Sequence, residues 1–336
     1  MRIVPTKPFV AVAALLVLAG CAARSVVPTS SERITSAVRP APHPPAAAAP
    51  GTIYVTDAGA NAIVTFPSNG NGNIAPATEI AGGNTQLAGA IGMAVDSNGN
   101  IYVTCNGSNA INEYAAGSNG NAAPIRRIFG HNTDLANPIG IALDSKGEIY
   151  VSTGNQDSII VFSKNANGNA HPLRRLRGTA TLLKAPAGLV INSKDDLIVA
   201  DVASNSVTVY APNASGNTAP IADITGPATG IVKPSDVTVN AARHIFVSNE
   251  SASTIVEFKP TANHNATPIR SIGGTNTQLD LPGGIAVDAG GTIYISNIGN
   301  NALTTYAPGA HGNAAPATVI AGANTLLNIP FGLAVR

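Results

Sequence analysis

The side chains best suited to chemistry in this sequence are oxygen donors that recur at the end of one short segment of a repeated unit. Asp57, Asp201, Asn249 and Asn297 hold this position in four separate units. Asp236 stands nearby in the same unit as Asn249, the fifth along the chain, at a position where the other units have glycine. Carboxylate and amide oxygens are the ligands that hard cations such as calcium prefer. These five residues are therefore the candidate ligand- or metal-binding residues.

Two interpretations of Asp236 are open. We favour an Asx turn, in which the carboxylate accepts a hydrogen bond from nearby backbone. Alternatively, Asp236 joins the other four residues in an oxygen-donor ring around a divalent ion. Cys105 shares the column of Asp57 and is expected to be a buried small thiol. No glutamate stands in these columns, and the sequence has no Gly-x-Ser-x-Gly elbow or paired histidine motif.

A strict repeat of 48 residues must position these side chains. The segment "IYVTD" begins at Ile53, and similar segments follow at a constant interval, beginning at Ile101, Ile149, Leu197, Ile245 and Ile293. Each unit contains four short runs rich in β-branched and aromatic residues, separated by Gly, Asn and Pro, which predict strands. In the second unit these are Ile91–Val95, Ile101–Cys105, Ala110–Tyr114 and Ile125–Phe129, designated strands a to d.

Radial repetition of four antiparallel strands predicts an all-β, six-bladed propeller over residues 51–336. The first unit begins at strand b and the chain stops after a strand a, so we expect the C-terminal residues to complete the first blade. The b–c and d–a loops should share one face. The five candidate residues would then lie on that face, with Asp236 near the mouth of a central tunnel.

The repeats resemble NHL-type repeats, as in "PIGIALDSKGEIYVS" at 138–152 and "PGGIAVDAGGTIYIS" at 282–296. The resemblance implies a six-bladed propeller and leaves the function open, because that family includes binding modules, sensor domains and some enzymes. Propellers that resemble gluconolactonases hold a catalytic divalent ion near this place with Glu, Asn and Asp. Their motif does not match this sequence residue by residue.

Columns that recur in every unit are attributed to the scaffold. An asparagine column is expected to bond its own turn: Asn73, Asn121, Asn169, Asn217, Asn265 and Asn313. A threonine column is expected to bond the loop between blades, with a ring of ligand contacts as the alternative: Thr85, Thr133, Thr181, Thr229, Thr277 and Thr325.

The N-terminus has the pattern of an export signal. Arg2 and Lys7 precede an apolar run that ends in Leu18-Ala19-Gly20-Cys21, which resembles the bacterial lipobox. The resemblance implies that residues 1–20 are removed and that Cys21 carries a lipid; the alternative is an ordinary signal peptide that contains a cysteine. Residues 21–50 are rich in Pro and Ala and predict a tether. We therefore expect a lipid-anchored protein of the bacterial envelope, at the outer membrane or cell surface.

Composition argues against nucleic acid as a partner, because the net charge is only +1 and charged residues amount to 11%. The pairs Arg126–Arg127 and Arg174–Arg175 are interpreted as solvated charge at strand edges. We predict a monomeric, non-catalytic binding or scaffold module for a protein, peptide or small ligand, without a required cofactor. The alternatives are a calcium-dependent hydrolase or lyase with its ion in the tunnel, and a purely structural propeller.

Overall fold

The computed structural model describes residues 51–336, which form six four-stranded antiparallel sheets. The predicted signal peptide, the tether and Cys21 lie outside these residues. The fold class is confirmed as an all-β propeller of six blades. In the described part of the chain, no helix is both long enough and apolar enough to span a membrane.

The blades follow one another along the chain, and only the first combines strands from both ends of the described region. Blade 1 contains β24 (Pro330–Val335), β1 (Thr52–Asp57), β2 (Ala62–Pro67) and β3 (Thr78–Ile80). Blade 2 contains β4 (Ala90–Val95), β5 (Ile101–Cys105), β6 (Ala110–Tyr114) and β7 (Arg126–Phe129). Blade 3 contains β8 (Pro138–Leu143), β9 (Ile149–Thr153), β10 (Ser158–Phe162) and β11 (Arg174–Arg177).

The remaining three blades repeat this order. Blade 4 contains β12 (Pro186–Ile191), β13 (Leu197–Asp201), β14 (Ser206–Tyr210) and β15 (Ala222–Thr225). Blade 5 contains β16 (Pro234–Val239), β17 (Ile245–Asn249), β18 (Thr254–Phe258) and β19 (Arg270–Gly273). Blade 6 contains β20 (Pro282–Val287), β21 (Ile293–Asn297), β22 (Ala302–Tyr306) and β23 (Thr318–Ile320). Short 3-10 helices lie in the loops, at Gly83–Thr85, Asn106–Ser108, His131–Thr133, Gly154–Gln156, Thr179–Thr181, Pro227–Thr229 and Ala323–Thr325.

The first strand of each blade, strand a, packs beside strand a of both neighbouring blades, so these six strands surround the axis. Around the ring they are β24, β4, β8, β12, β16 and β20. Strand β24 pairs with β1, with Val335 opposite Ile53 and Leu333 opposite Val55. The two ends of the described region therefore meet within one sheet.

The core lies between the blades, where the apolar faces of neighbouring sheets pack together. One fully buried aromatic residue lies at the end of the third strand of each blade, or one residue before it in blade 1: Phe66, Tyr114, Phe162, Tyr210, Phe258 and Tyr306. The buried tyrosine hydroxyls need partners. The Tyr114 hydroxyl donates to the carbonyl of Thr85 at 2.5 Å, and Tyr306 bonds Thr277 in the same way. These aromatic residues are therefore used by the scaffold.

The asparagine column joins neighbouring blades, and our expectation that each side chain bonds its own turn is wrong. The Asn121 side-chain oxygen accepts the N–H of Asn84, in the loop that leads from blade 1 to blade 2, at 2.8 Å. The same contact recurs at every seam, the junction between two neighbouring blades. The other asparagines that make it are Asn169, Asn217, Asn265, Asn313 and Asn73. Since these loops are distant in sequence, local turn preferences do not predict the contact.

The paired arginines lie on outer strands and have acidic neighbours. Arg126 contacts Glu113, Arg174 contacts Glu148 and Arg175 contacts Asp134. The positive charge of both pairs is therefore partly balanced within the blades.

Candidate functional site in the central channel

The inner strands enclose a cavity of about 290 Å³ on the axis. Near its mouth the backbones come so close together that most blades have glycine there. A Cβ at Gly140, for example, would lie 2.4 Å from the carbonyl oxygen of Ala187 in the next blade. The same limit applies at Gly92, Gly284 and Gly332, where a Cβ would meet a carbonyl oxygen of the neighbouring blade at 2.2–2.4 Å.

The wall of this cavity is polar on one strand and apolar on the others. Among the described residues that line it, the polar side chains are Ser235, Asp236 and Thr238, and all three belong to β16. The other five inner strands contribute glycine, alanine and larger apolar residues such as Met93, Leu189 and Leu333. Asp236 is also the sole titratable residue in this lining. The channel is therefore amphipathic, with its negative charge on one side.

The Asp236 carboxylate lies at a seam and bonds backbone on two blades. Its Oδ1 accepts the N–H of Val237 at 2.9 Å, and its Oδ2 accepts the N–H of Ile285 in blade 6 at 3.1 Å. A Cβ at Gly188 of blade 4 would lie only 2.0 Å from Oδ1. Burial raises the pKa of Asp236 to about 7, although the two N–H groups favour its ionised form. The group can therefore change charge near neutral pH.

The bonding of Asp236 combines a backbone contact within its own strand with a contact to another blade, and neither reaches two residues on as an Asx turn would. The contact with Val237 is local, whereas the contact with Ile285 joins it to the next blade. Each oxygen accepts one N–H, and a carboxylate oxygen has room for a further donor. Asp236 is thus held in place while it can still accept a hydrogen bond from a ligand.

A belt of hydroxyl groups lies behind the inner strands, and sequence reasoning missed it. The Thr104 hydroxyl accepts the N–H of Gly92 at 2.8 Å and donates to the carbonyl of Ile139 in the next blade at 2.6 Å. Equivalent bonds to neighbouring blades are made by Thr56, Ser152, Ser248 and Ser296. Blade 4 has Ala200 at this position. The column pattern of five hydroxyl residues and one alanine could have revealed this belt.

The belt is interrupted at the seam that carries the polar strand. In the pattern of the other blades, a hydroxyl at position 200 would bond Gly188 and the carbonyl of Ser235. Beyond this gap, the buried Ser235 hydroxyl donates to the carbonyl of Pro282 at 2.7 Å and contacts the Ser248 hydroxyl at 2.9 Å. Ser235 and Ser248 therefore tie blade 5 to blade 6, while the junction of blades 4 and 5 lacks one hydroxyl.

The other four candidate residues lie at the ends of their second strands and are buried. Asp201 accepts the N–H of Lys184 at 3.0 Å and the hydroxyl of Thr208 at 2.7 Å. Asp57 accepts the N–H groups of Ala60 and Asn328, at 3.1 and 2.7 Å. Burial raises the pKa of Asp57 to about 6 and that of Asp201 to about 7. Each carboxylate therefore holds backbone of its own blade.

The two asparagines make the same type of contact. The Asn249 side-chain oxygen accepts the N–H of Val232 at 3.0 Å, and that of Asn297 accepts the N–H of Asp280 at 3.1 Å. These four side chains thus clamp the loop that precedes strand a in four blades. Of the five candidates, Asp236 alone belongs to the described channel lining. The described residues contain no group of three or more His, Cys, Asp or Glu placed to hold a metal ion.

The threonine column has the scaffold contacts that we expected. In every blade-to-blade loop the hydroxyl donates to the carbonyl three residues earlier, as Thr85 does to Gly82 at 2.7 Å. Cys105 is fully buried, and burial raises its pKa to about 11. Neither the threonines nor Cys105 is among the residues that line the channel in the described structure.

Comparison with known proteins gives a family and several similar folds. The family described as "Lactonase, 7-bladed beta-propeller" matches residues 23–234, a range that ends before Asp236. No curated protein matches the sequence. A protein of unknown function from Bacteroides caccae has a TM-score of 0.62 and 12% identity, over 85% of this chain and 98% of its own.

Two further solved structures with a similar fold are of named proteins. A structure of the nidogen/laminin complex matches with a TM-score of 0.61 and 17% identity, over 84% of this chain and 97% of that chain. Inactive virginiamycin B lyase from Staphylococcus aureus, with quinupristin, matches with a TM-score of 0.55 and 16% identity, over 77% and 78% of the two chains. At these identities the likeness shows the propeller fold alone.

Proposed function

The chain belongs to the lactonase family of β-propellers, and we propose that it functions at the axis of its ring. The family is described with seven blades, whereas this ring has six. The protein is a non-catalytic binding module that holds a small ligand in the central channel. The observation that carries this proposal is the amphipathic lining, in which β16 presents a carboxylate opposite apolar strands. A cavity of about 290 Å³ suits a small molecule better than a folded partner.

A ligand panel tests this proposal. We expect at least one class among alkylamines, amino acids, sugar lactones and short carboxylates to raise the melting temperature of the purified protein, because a ligand at 100 times its Kd adds about 2.7 kcal/mol of stability. Asp236→Asn should abolish the shift. Asp288→Asn is the matched control, since Asn192 and Asn240 fill the equivalent turn position in other blades. Absence of any stabilising class would contradict the proposal.

A calcium-dependent hydrolase or lyase is the second candidate, and the lactonase family match favours it. It would use Asp236 beside a divalent ion in the channel. The clamp contacts of Asp57, Asp201, Asn249 and Asn297 count against a shared ion, because their oxygens hold backbone in four different blades. Metal-dependent lactone or ester hydrolysis that is lost in Asp236→Asn, with one bound divalent ion per chain, would replace the binding proposal by this one.

We also propose that the protein is exported and anchored to the bacterial envelope through a lipid on Cys21. The support is the similarity of Leu18-Ala19-Gly20-Cys21 to a lipobox. We expect Cys21→Ser to move the protein from the membrane fraction to the soluble fraction in a bacterial host that lipidates its proteins. Cys105→Ser should leave it with the membranes, because Cys105 is buried in blade 2. Equal fractionation of both variants would contradict the anchor.

A further inference from the structure

The polar strand of the channel has the chemistry of a receptor for a cationic head group. Asp236 and Thr238 are separated by one residue on β16, and alternate residues of a strand face the same side. A carboxylate and a hydroxyl can both accept hydrogen bonds from one donor-rich group. The remaining strands offer no second charge in the described lining. A ligand that balances the charge of this wall therefore needs a single positive group.

The apolar wall favours a ligand in which an aliphatic stem is attached to the positive group. Small side chains line the cavity at one level, namely Ala94, Ala142, Ala286 and Ala334. Larger aliphatic residues line it as well, including Val95, Leu143, Ile191, Val287 and Val335. A flexible aliphatic stem can bury its apolar surface against these residues, which favours binding because that surface is removed from water. A polar or branched sugar would find few hydrogen-bond partners on these five strands.

A divalent metal fits this wall less well than an organic cation does. Calcium takes six to eight oxygen ligands. The side-chain oxygens of the described lining belong to Ser235, Asp236 and Thr238, and the Ser235 hydroxyl is already bonded to backbone of blade 6. An ammonium group carries three donors and needs only a few acceptors.

We propose that the central channel binds a primary alkylammonium ion, with its ammonium group on Asp236 and Thr238 and its alkyl stem against the five apolar strands. This inference rests on the proposed function and names the class of ligand for that site. The other blades provide a natural reference state, because they have glycine where Asp236 stands and mainly alanine where Thr238 stands.

n-Butylamine is a suitable probe, since it is protonated throughout the range from pH 5 to pH 8. We expect calorimetry at pH 8 to give a Kd in the millimolar range or tighter. n-Butanol should bind at least tenfold more weakly, and butyrate should not bind. Asp236→Asn and Asp236→Gly should each lose binding, and Thr238→Val should weaken it severalfold. Asp236→Gly is included because the equivalent residue is glycine in the other blades, which favours folding of the variant.

The pH profile provides a second readout. Asp236 must be ionised to hold a cation, and its pKa lies near 7, so affinity should fall at least tenfold between pH 8 and pH 5. Of the strands packed against β16, β12, β17 and β20 contain no titratable side chain. The fourth, β13, ends at Asp201, whose carboxylate is bonded to the N–H of Lys184 and the hydroxyl of Thr208 and is not part of the described channel lining. Asp288→Asn should retain both the affinity and its pH dependence.

The outcomes separate this inference from the proposed function. If another class in the panel binds in an Asp236-dependent manner and butylamine does not, the alkylammonium assignment is wrong and the binding module stands. If no class binds, both fail. Equal affinity for butylamine in the wild type and in Asp236→Gly would overturn the placement of the ammonium group on Asp236.

Discussion

Deletion of residues 331–336 should destroy the cooperative unfolding of the propeller and lower its melting temperature by more than 10 °C. The deletion removes nearly all of β24, which pairs with β1 and packs beside β4 and β20. It exposes the cluster in which buried Leu333 contacts Ile53 and Val55. Burial of one such side chain contributes about 1.5–3 kcal/mol, so loss of the whole strand approaches the 5–15 kcal/mol that stabilises a typical domain.

Circular permutation is the control for this deletion. The backbone N–H groups of Gly51 and Thr52 already donate to the carbonyl of Arg336, at 2.5 and 2.8 Å. A permutant that joins Arg336 to Gly51 through two residues, Ser-Asn as in the "DSNG" turn of blade 2, and opens the chain between Ser97 and Asn98 keeps every strand. Its melting temperature should stay within a few degrees of the original. A deletion variant that melts like the permutant, measured by calorimetry and circular dichroism, would show that β24 does not hold the ring together.

Gly140→Ala should destabilise the protein by about 2–4 kcal/mol, because the new methyl group has no space at the axis. Its Cβ would lie 2.4 Å from the carbonyl oxygen of Ala187 and 3.1 Å from the Cα of Gly188. Both obstacles are backbone atoms of a neighbouring inner strand, so relief requires the blades to move apart. Denaturant unfolding at one protein concentration measures this loss directly.

Gly83→Ala is the matched control for this substitution. No atom lies within 4 Å of a Cβ built at Gly83, and its φ lies outside the left-handed range. Replacement there should change stability by less than about 1 kcal/mol, with a small gain from reduced freedom of the unfolded chain. Equal losses for the two variants would mean that close approach at the axis does not explain the glycine column.

The strands were predictable because their signals are local. Alternating β-branched residues and turn residues define Ile101–Cys105 and Ala110–Tyr114 with the bounds that the structure has. The role of the clamp residues was not predictable in this way. Whether Asp201 faces a ligand or a backbone N–H depends on where the loop at Lys184 passes, and that path is set by packing between blades. Regular spacing of oxygen donors led us to predict a ligand set, and the structure adds that each of the four accepts a backbone N–H of a loop.

The channel was predictable in part. Asp236 stood out because it interrupts a glycine column, whereas Thr238 replaces alanine or valine, an ordinary change within a strand. That the polar residues share one strand became apparent only when the lining was known. Ala200 could have been recognised from the sequence as an exception, since a hydroxyl residue fills the other five positions of its column. Its meaning depends on a contact with the next blade, which a single unit does not reveal.

The equivalence of the seams has a consequence for how such rings change in evolution. Each blade meets the next through the same asparagine contact, and all but one seam also have the belt hydroxyl. Gain or loss of one 48-residue unit would leave these contacts intact and alter only the angle between blades. Blade number is then a matter of gene duplication rather than of new chemistry, which makes six blades compatible with a family described by seven. An added blade would widen the channel and change the size of molecule it admits.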